Sequence, residues 1–290
     1  MNNEKKRKKI EEINERLSLT DDDLQYIKDK MKEYYGEYNN EINSYNNLFS
    51  YSKLKAKINK TDKLNKTLVN EQRSVSKFKQ DIYKKELRKT IIFLILNLQN
   101  FLDFESIMLF VAKRRKIIEI LKLEILDYDF LGKFRVTSAV IYDLVSSFIE
   151  SKASHLINKL KNKTQIKYKN NHLTKIKLYK ISNNNNGKWI WNHTSGNLIL
   201  QLLDEMNKIY EEFKRSLLHK NNKETSKNLL SKLYWLYMQT CPFERGSASI
   251  GEMIFSALLQ KHFDCDFRLF REPFNPHLIP DIHALTYTLE

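Results

Sequence analysis

Apolar residues recur at helical spacing along most of the chain. Near the N-terminus they follow the cap sequence Thr20–Asp23, and an acidic cap followed by apolar residues at this spacing predicts the start of an amphipathic helix. A second long helix is predicted from Thr61 to Leu102. Because apolar positions stay sparse before residue 91, we expect residues 1–88 to form a basic arm of long helices, separate from a denser domain at residues 89–290.

Apolar residues become dense from residue 91 onward, and five helices are predicted after residue 100. The first two are apolar nearly all round, which is typical of central helices in a bundle. The five helices are Glu105–Leu126, Val136–Leu160, Gly196–His219, Glu224–Thr240 and Ile250–His262. They place the hydrophobic core in the second domain.

The period of the pattern changes between Thr164 and Ile181. Apolar residues there alternate with lysines on either side of the turn-forming sequence Asn170–His172, a pattern that predicts a β-hairpin with lysines on one side. A short aromatic segment, Lys188–Trp191, follows an Asn-rich loop. The predicted fold is therefore mainly α, a helical bundle with one β-hairpin at about residues 164–181, preceded by the long-helix arm.

The charge of the chain adds candidate partners. Its 290 residues contain 50 Lys and Arg against 35 Asp and Glu, a formal net charge of +15. Lys152–Lys180 holds nine lysines and no carboxylate, whereas residues 241–290 hold four basic and seven acidic residues. The lysine-rich surfaces favour an acidic partner or an anionic membrane. Nucleic acid is the least favoured partner because lysine dominates over arginine, and the alternative is a solvated surface with no partner.

Cysteine usage and hydropathy bear on the compartment. Two cysteines, Cys241 and Cys265, cannot form a disulfide scaffold and indicate a reducing environment. The most apolar stretch, Ile91–Phe110, is interrupted by polar residues and is not expected to span a bilayer. We expect a soluble protein of the cytoplasm, or one secreted into a host cytoplasm without a cleavable signal peptide.

The most informative segment runs from Ser231 to Glu252. It reads as an apolar helix, a Cys-Pro-Phe turn, a glycine with small residues, and another helix. Ser249 and Glu252 have the spacing of a capping box for the last helix. Small residues at Gly246–Ser249 would leave the helix N-terminus open to an anion. A tight helix–turn–helix without a ligand requires the same residue types, so both interpretations stand.

The segment Cys241–Ser249 resembles the His-Pro-Phe-x-x-Gly-Asn-Gly-Arg motif of Fic/Doc (Fido-fold) proteins, many of which transfer AMP or another phosphate-containing group to a hydroxyl. Pro242, Phe243 and Gly246 match the motif. The order of hairpin, two helices and motif is also similar, over about residues 90–270. The resemblance implies that residues 89–290 form a Fido-like domain, with a nucleotide or nucleotide-sugar donor beside the motif and a protein target held by the hairpin.

The departures from the motif change the expected chemistry. The family's histidine base falls at Cys241 and its phosphate-contacting arginine at Ser249, so standard AMP transfer is not expected. The catalytic candidates are Cys241, Glu244 and Glu252, and the donor-binding candidates are Arg245, Gly246, Ser247, Ala248 and Ser249. No cofactor other than such a donor, and no metal, is implied.

Several residues allow other interpretations. Cys241 is either a small buried residue or a nucleophile paired with His219, His277 or His283. His262 and Cys265 form one pair without the second pair that zinc requires. The tryptophans at positions 189, 191 and 235 are either packing anchors or, for the first two, a binding surface.

Two functions follow from the sequence. The first is a bacterial effector-type module that binds or modifies a protein target, which the Lys and Asn bias supports because it resembles that of bacteria with AT-rich genomes. The alternative is a non-enzymatic interaction protein that docks an acidic partner, an anionic membrane or nucleic acid through its lysine-rich surfaces.

Overall fold

The computed structural model describes residues 3–41, 62–123, 140–142, 165–169, 171–179, 188–192, 194–218, 223–244 and 246–263. Within these ranges the chain is mainly helical, as predicted. The helices are α1 (Asn3–Arg16), α2 (Asp21–Glu41), α3 (Asp62–Asn97), a short 3-10 helix (Leu98–Asn100), α4 (Phe104–Leu123), α5 (Gly196–Leu217), α6 (Lys223–Thr240) and α7 (Ser247–Phe263). The strands are β1 (Val140–Tyr142), β2 (Gln165–Tyr168), β3 (Asn171–Tyr179) and β4 (Lys188–Asn192). None of the described helices is long and apolar enough to cross a membrane.

The contacts divide the chain into two compact units. The larger unit draws on Met1–Leu17, Ile91–Ala112 and Phe130–Glu290, and the smaller unit on Ser18–Thr90 and Lys113–Asp129. These units divide the chain at positions other than the boundary expected near residue 88. The division into a basic helical arm at residues 1–88 and a helical domain at residues 89–290 stays a prediction.

The smaller unit is built from α2 and from parts of α3 and α4. At the start of α2 the Thr20 amide donates to Asp23 Oδ2 at 2.8 Å, and the Asp23 amide donates to Thr20 Oγ1 at 3.3 Å. This reciprocal pair satisfies two amides that the first helical turn leaves open, and it confirms the predicted cap. The apolar core of the unit comprises Ile27, Tyr34, Ile82, Ile117, Ile120 and Leu121.

A buried carboxylate lies within the smaller unit. Glu86 is only 4% exposed, and it accepts hydrogen bonds from the Tyr34 hydroxyl, from the Tyr26 hydroxyl at 3.1 Å and from Lys89 Nζ at 2.7 Å. Burial alone would raise the pKa of Glu86, but the hydrogen bonds from Lys89 and Tyr34 outweigh it and hold the pKa below its ordinary value. Burial and the bond to Glu86 raise the pKa of Tyr34 to about 12. The ionised carboxylate is thus part of the folded structure.

The described strands of the larger unit form one antiparallel sheet in the order β1-β4-β3-β2. Val140–Tyr142 pairs with the Ile190–Asn192 end of β4, so the predicted helix Val136–Leu160 is wrong at these three residues. Residues 143–160 of that prediction lie outside the described ranges. Two β-branched residues and a tyrosine suit a strand once a partner strand is present, and that partner lies about fifty residues further along the chain.

The turn before β3 also differs from the prediction. Asn171 and His172, expected in the turn, already belong to β3 and pair with Tyr168 and Lys167. Lys169 has a φ of +51°, a left-handed conformation that occurs in tight turns. The pairing is irregular between Ile166 and Lys167, so β2 changes register before the turn begins.

Helices α5, α6 and α7 form the centre of the larger unit, and aromatic rings fill the space between them. The ring centroid of Phe104 lies 5.8 Å from that of Tyr210, 6.2 Å from that of Tyr237 and 5.9 Å from that of Phe255. Such centroid separations are those of favourable aromatic pairs. The predicted helices Gly196–His219, Glu224–Thr240 and Ile250–His262 correspond to α5, α6 and α7 within three residues at each end.

Candidate functional site

The turn between α6 and α7 begins at Cys241. Its amide donates to the Tyr237 carbonyl at 3.0 Å, and its φ is +47°. A left-handed residue that bonds back in this way is a common end to a helix, and the following Pro242 cannot continue the helix. Cys241 is 8% exposed and is not part of a disulfide. Its position is therefore that of a helix C-cap, normally occupied by glycine.

Ser247 closes the turn. Its hydroxyl accepts from the Phe243 amide at 3.0 Å and donates to the Phe243 carbonyl at 3.2 Å. The Tyr237 hydroxyl donates to the Ser247 carbonyl at 2.8 Å. A hydroxyl has one proton and two lone pairs, so Ser247 is engaged both as donor and as acceptor. With Ser247 only 4% exposed and Phe243 only 1% exposed, these bonds are shielded from water.

Helix α7 begins earlier than expected. It starts at Ser247, and the carbonyl of Gly246 accepts from the Ile250 amide at 2.9 Å and from Ser249 Oγ at 3.0 Å. The predicted capping box of Ser249 and Glu252 is therefore wrong, because Ser249 already lies in the first helical turn. Gly246 has a φ of +86°, and glycine adopts this conformation without steric cost, so the chain enters the helix at that point.

A second glycine sets the distance between α6 and α7. A Cβ at Gly251 would lie 2.6 Å from Tyr237 Cε1 and 3.3 Å from Met238 Sδ. Tyr237 is fully buried, and burial holds the pKa of its hydroxyl well above the usual value. Gly251 therefore allows a helix contact that any larger residue would obstruct. Neither Tyr237 nor Gly251 was singled out from the sequence. The one sign of their close contact there is a glycine inside an apolar helix.

The catalytic candidates occupy different environments. Cys241 is buried, Glu244 is exposed and Glu252 is half-buried. Burial, followed by the charge of Glu252, raises the pKa of the Tyr234 phenol, so Glu252 lies close to Tyr234.

The donor-binding candidates gather around the first turn of α7. Gly246, Ser247 and Ser249 are linked there by the bonds described above, and Ala248 is exposed. Backbone amides at a helix N-terminus can hold an anion. Arg245, the cation expected beside them, lies outside the described residues, as do His219, His277, His283 and Cys265. Among the described residues, no group of three or more His, Cys, Asp or Glu side chains is placed to hold a metal ion.

Thr194 links the sheet to the end of α6. It is fully buried, and its hydroxyl lies 3.1 Å from both the Leu173 carbonyl of β3 and the Gln239 carbonyl of α6. Nearby, the rings of Tyr168 and Trp235 lie 6.3 Å apart. These contacts fix one end of the sheet beside the turn, and nothing in the sequence pattern of Thr194 indicated that role.

Part of the lysine excess is neutralised within the protein. Lys169 pairs with Glu205 at 2.5 Å, and Lys208 pairs with the same carboxylate at 3.2 Å. Hydrogen bonds from these lysines hold the pKa of Glu205 below its ordinary value. Lys169 thus belongs to an ion pair within the protein.

These features define a mainly helical protein in which an antiparallel sheet packs beside a helix–turn–helix, and the turn is held by hydrogen bonds among its own residues. The family model described as AvrB_AvrC, avirulence protein, matches residues 120–290, more than half of the chain. The chain belongs to this family. A search of curated proteins found no match.

Family membership overturns the resemblance to Fic/Doc proteins. The matching family is AvrB_AvrC, a different effector family, and the Fic/Doc assignment from three identities at Pro242, Phe243 and Gly246 is wrong. Proline, an aromatic residue and glycine recur in tight turns between helices for conformational reasons, so their match was not specific. Membership indicates a bacterial effector-type protein that is delivered into host cells and acts on host targets.

Proposed function

We propose that this effector acts on a host protein by binding it, without transferring a chemical group to it. The observation that carries the proposal is the closed bonding of the α6–α7 turn. Ser247 is engaged as donor and acceptor with Phe243, and Cys241 is a buried helix cap. A buried thiol is inert as a nucleophile. The turn is therefore suited to holding two helices together.

The binding surface that we propose is the outer edge of β2. This strand ends the sheet order among the described residues, and an edge strand presents backbone amides and carbonyls to an extended partner segment. The sheet is held to α6 through Thr194, so the edge is fixed in place. Because Lys152–Lys180 contains no carboxylate, the partner segment is expected to be acidic.

Binding and chemistry can be separated by two sets of variants. Host extract is incubated with purified protein and cross-linked, and the captured protein is identified and remeasured in purified form. Cys241→Ala should capture the same host protein as the parent. Lys167→Glu combined with Lys175→Glu should reduce its affinity at least about tenfold, equivalent to about 1.4 kcal/mol. Equal affinity of the parent and the charge-reversed variant would contradict the proposed surface.

A second candidate is transfer of a group from a nucleotide-type donor at the start of α7. It is favoured by the exposure of Ala248 in the first turn of a 17-residue helix, where amides and helix dipole attract phosphate. Labelled ATP and labelled nucleotide sugars would be added to host extract. Label incorporation that persists in Ala248→Asn and disappears in Ala248→Asp would establish this function, since only the second variant adds charge. Incorporation that depends on neither change excludes the site.

A further inference from the structure

Three lysine ammonium groups surround one tyrosine ring in the smaller unit. The Nζ atom lies 4.7 Å from the centre of the Tyr34 ring in Lys85, 5.7 Å in Lys89 and 6.0 Å in Lys30. We term these three residues the lysine cluster. All of them belong to the stretch Ser18–Thr90, so their arrangement depends on the smaller unit alone. Because like charges repel one another at such separations, an anion among them is favoured.

Two lysines of the cluster have carboxylate partners of different kinds. Lys89 donates to Glu86 Oε1 at 2.7 Å and to the Tyr34 hydroxyl at 3.0 Å. Since Glu86 is buried, breaking this pair would leave a buried charge alone, and Lys89 is therefore held in position. Lys30 pairs with Glu33, which is exposed. Exposed ion pairs contribute little to stability, so a stronger anion can displace the Glu33 carboxylate.

The third lysine of the cluster has no carboxylate partner. Lys85 is exposed, and it forms no ion pair or hydrogen bond with any other described residue. The hydrogen bond from Lys30, and then the charges of Lys30, Lys89 and Lys85, hold the pKa of the Glu33 carboxyl below its ordinary value. The charges of all three lysines therefore act at the place that the Glu33 carboxylate occupies.

We propose that the lysine cluster binds a phosphate group of a soluble phosphate ester, in the place of the Glu33 carboxylate. A phosphate dianion has more charge than a carboxylate and three acceptor oxygens, so it can accept hydrogen bonds from Lys30 and Lys85 together. The Glu33 carboxylate accepts from Lys30 alone among the described residues. Because the lysines are already held around the Tyr34 ring, binding orders few further side chains. The cluster lies before the residues that the family model matches, and it does not depend on the edge of β2.

The probe is inositol hexakisphosphate, titrated into the full chain in a calorimeter. Salt is kept at about 0.15 M, which screens attraction between distant surface charges. The comparison ligand is benzenehexacarboxylate, which has carboxylates in place of phosphates around its ring. We expect inositol hexakisphosphate to bind with a dissociation constant of about 10 μM or lower, and the comparison ligand to bind at least about tenfold more weakly.

Variants locate the binding. Lys85→Gln should weaken the binding of inositol hexakisphosphate at least about tenfold, and Lys85→Arg should retain it because arginine keeps the charge. Lys84→Gln is the matched control. Lys84 is exposed on the same helix but is not part of the cluster, so the same loss of charge there should change the affinity at most about twofold. Glu33→Gln should strengthen binding about twofold to fivefold, because it removes the carboxylate that competes for Lys30.

Several outcomes would overturn the proposal. Equal weakening in Lys84→Gln and Lys85→Gln would show only a general attraction to a basic chain. Equally tight binding of the two ligands, no binding of inositol hexakisphosphate up to about 1 mM, or unchanged or weaker binding in Glu33→Gln would each contradict the site. Vesicles containing phosphatidylinositol bisphosphate test a membrane source of phosphate. If the parent binds these vesicles through Lys85 but does not bind the soluble probe, the ligand is a membrane and the proposal fails.

Discussion

Replacing Gly251 with alanine tests whether the contact between α6 and α7 is as close as the structure indicates. The added Cβ would lie 2.6 Å from Tyr237 Cε1 and 3.1 Å from Cδ1. The ring cannot easily move away, because its hydroxyl donates to the Ser247 carbonyl at 2.8 Å and its centroid lies 6.2 Å from that of Phe104 and 5.9 Å from that of Phe255. Either the ring or α7 must shift.

The expected magnitude combines opposing effects. Forcing a methyl group into a packed core costs about 1–3 kcal/mol, and loss of the Tyr237 hydrogen bond would add about 0.5–1.5 kcal/mol. Alanine in place of glycine within a helix gains about 1 kcal/mol. The net expectation for Gly251→Ala is therefore destabilisation by about 2 kcal/mol.

Urea unfolding followed by circular dichroism measures the effect as a change in the free energy of unfolding. The control is the same substitution in a Tyr237→Leu background, which removes Cε1 and the hydroxyl. There the penalty should shrink, and the helix gain should become visible. If Gly251→Ala were as stable as the parent, or if its penalty were unchanged in the Tyr237→Leu background, the close contact would be refuted.

Three further substitutions test single side chains. The pKa of Glu86 is lowered in the folded state, so the unfolded chain binds the proton more tightly. In urea titrations the parent should therefore lose stability as the pH falls below about 4.5. Glu86→Gln should destabilise the protein at pH 7. Burial raises the pKa of Glu105 despite the nearby charges of Lys9 and Arg16, so the parent loses stability as the pH rises through that pKa. Glu105→Gln should therefore stabilise the protein at pH 7. It should also flatten the dependence of stability on pH between about pH 4 and 7. Cys241→Val should lower the free energy of unfolding by about 1–2 kcal/mol more than Cys241→Asn does, as measured by thermal unfolding. The reason is that asparagine tolerates a φ of +47°, whereas a β-branched residue does not. Equal losses of stability would contradict the helix-cap role.

The helices could be predicted closely because their information is local. A three- or four-residue apolar period gave Gly196–His219 and Glu224–Thr240, and the structure has Gly196–Leu217 and Lys223–Thr240. The cap at Thr20 could be identified for the same reason, since both partners of its hydrogen bonds lie within four residues. In each case the stabilising contacts connect neighbours along the chain.

The strand β1 could not be predicted because its partner is distant. Three residues, Val140–Tyr142, carry too little alternation to distinguish a strand from a buried helix. Their conformation follows from pairing with β4, and only the folded chain brings the two segments together. Short strands whose pairing is non-local depend on tertiary contacts more than on propensity.

The candidate site shows the same limit at the level of single residues. The sequence allows Ser249 or Gly246 to begin α7, and Ser249 has the better capping side chain. The structure favours Gly246 because Ser247 bonds Phe243 and accepts a hydrogen bond from the Tyr237 hydroxyl at its carbonyl, so the helix begins three residues earlier. The Tyr237 bond joins α6 to α7 across ten residues, so a rule that considers only neighbouring residues could not give this outcome.

Charged side chains that already contact other groups within the protein must be discounted before the net charge is used to infer a partner. The four consecutive cations of α4 show this most clearly. Lys113 pairs with Asp23 at 2.6 Å, Arg114 lies 5.4 Å from the centre of the Tyr26 ring, and Arg115 pairs with Glu119. Three of the four charges in this run are thus engaged in contacts within the smaller unit. The formal +15 of the whole chain therefore overstates the positive charge that is available to a partner.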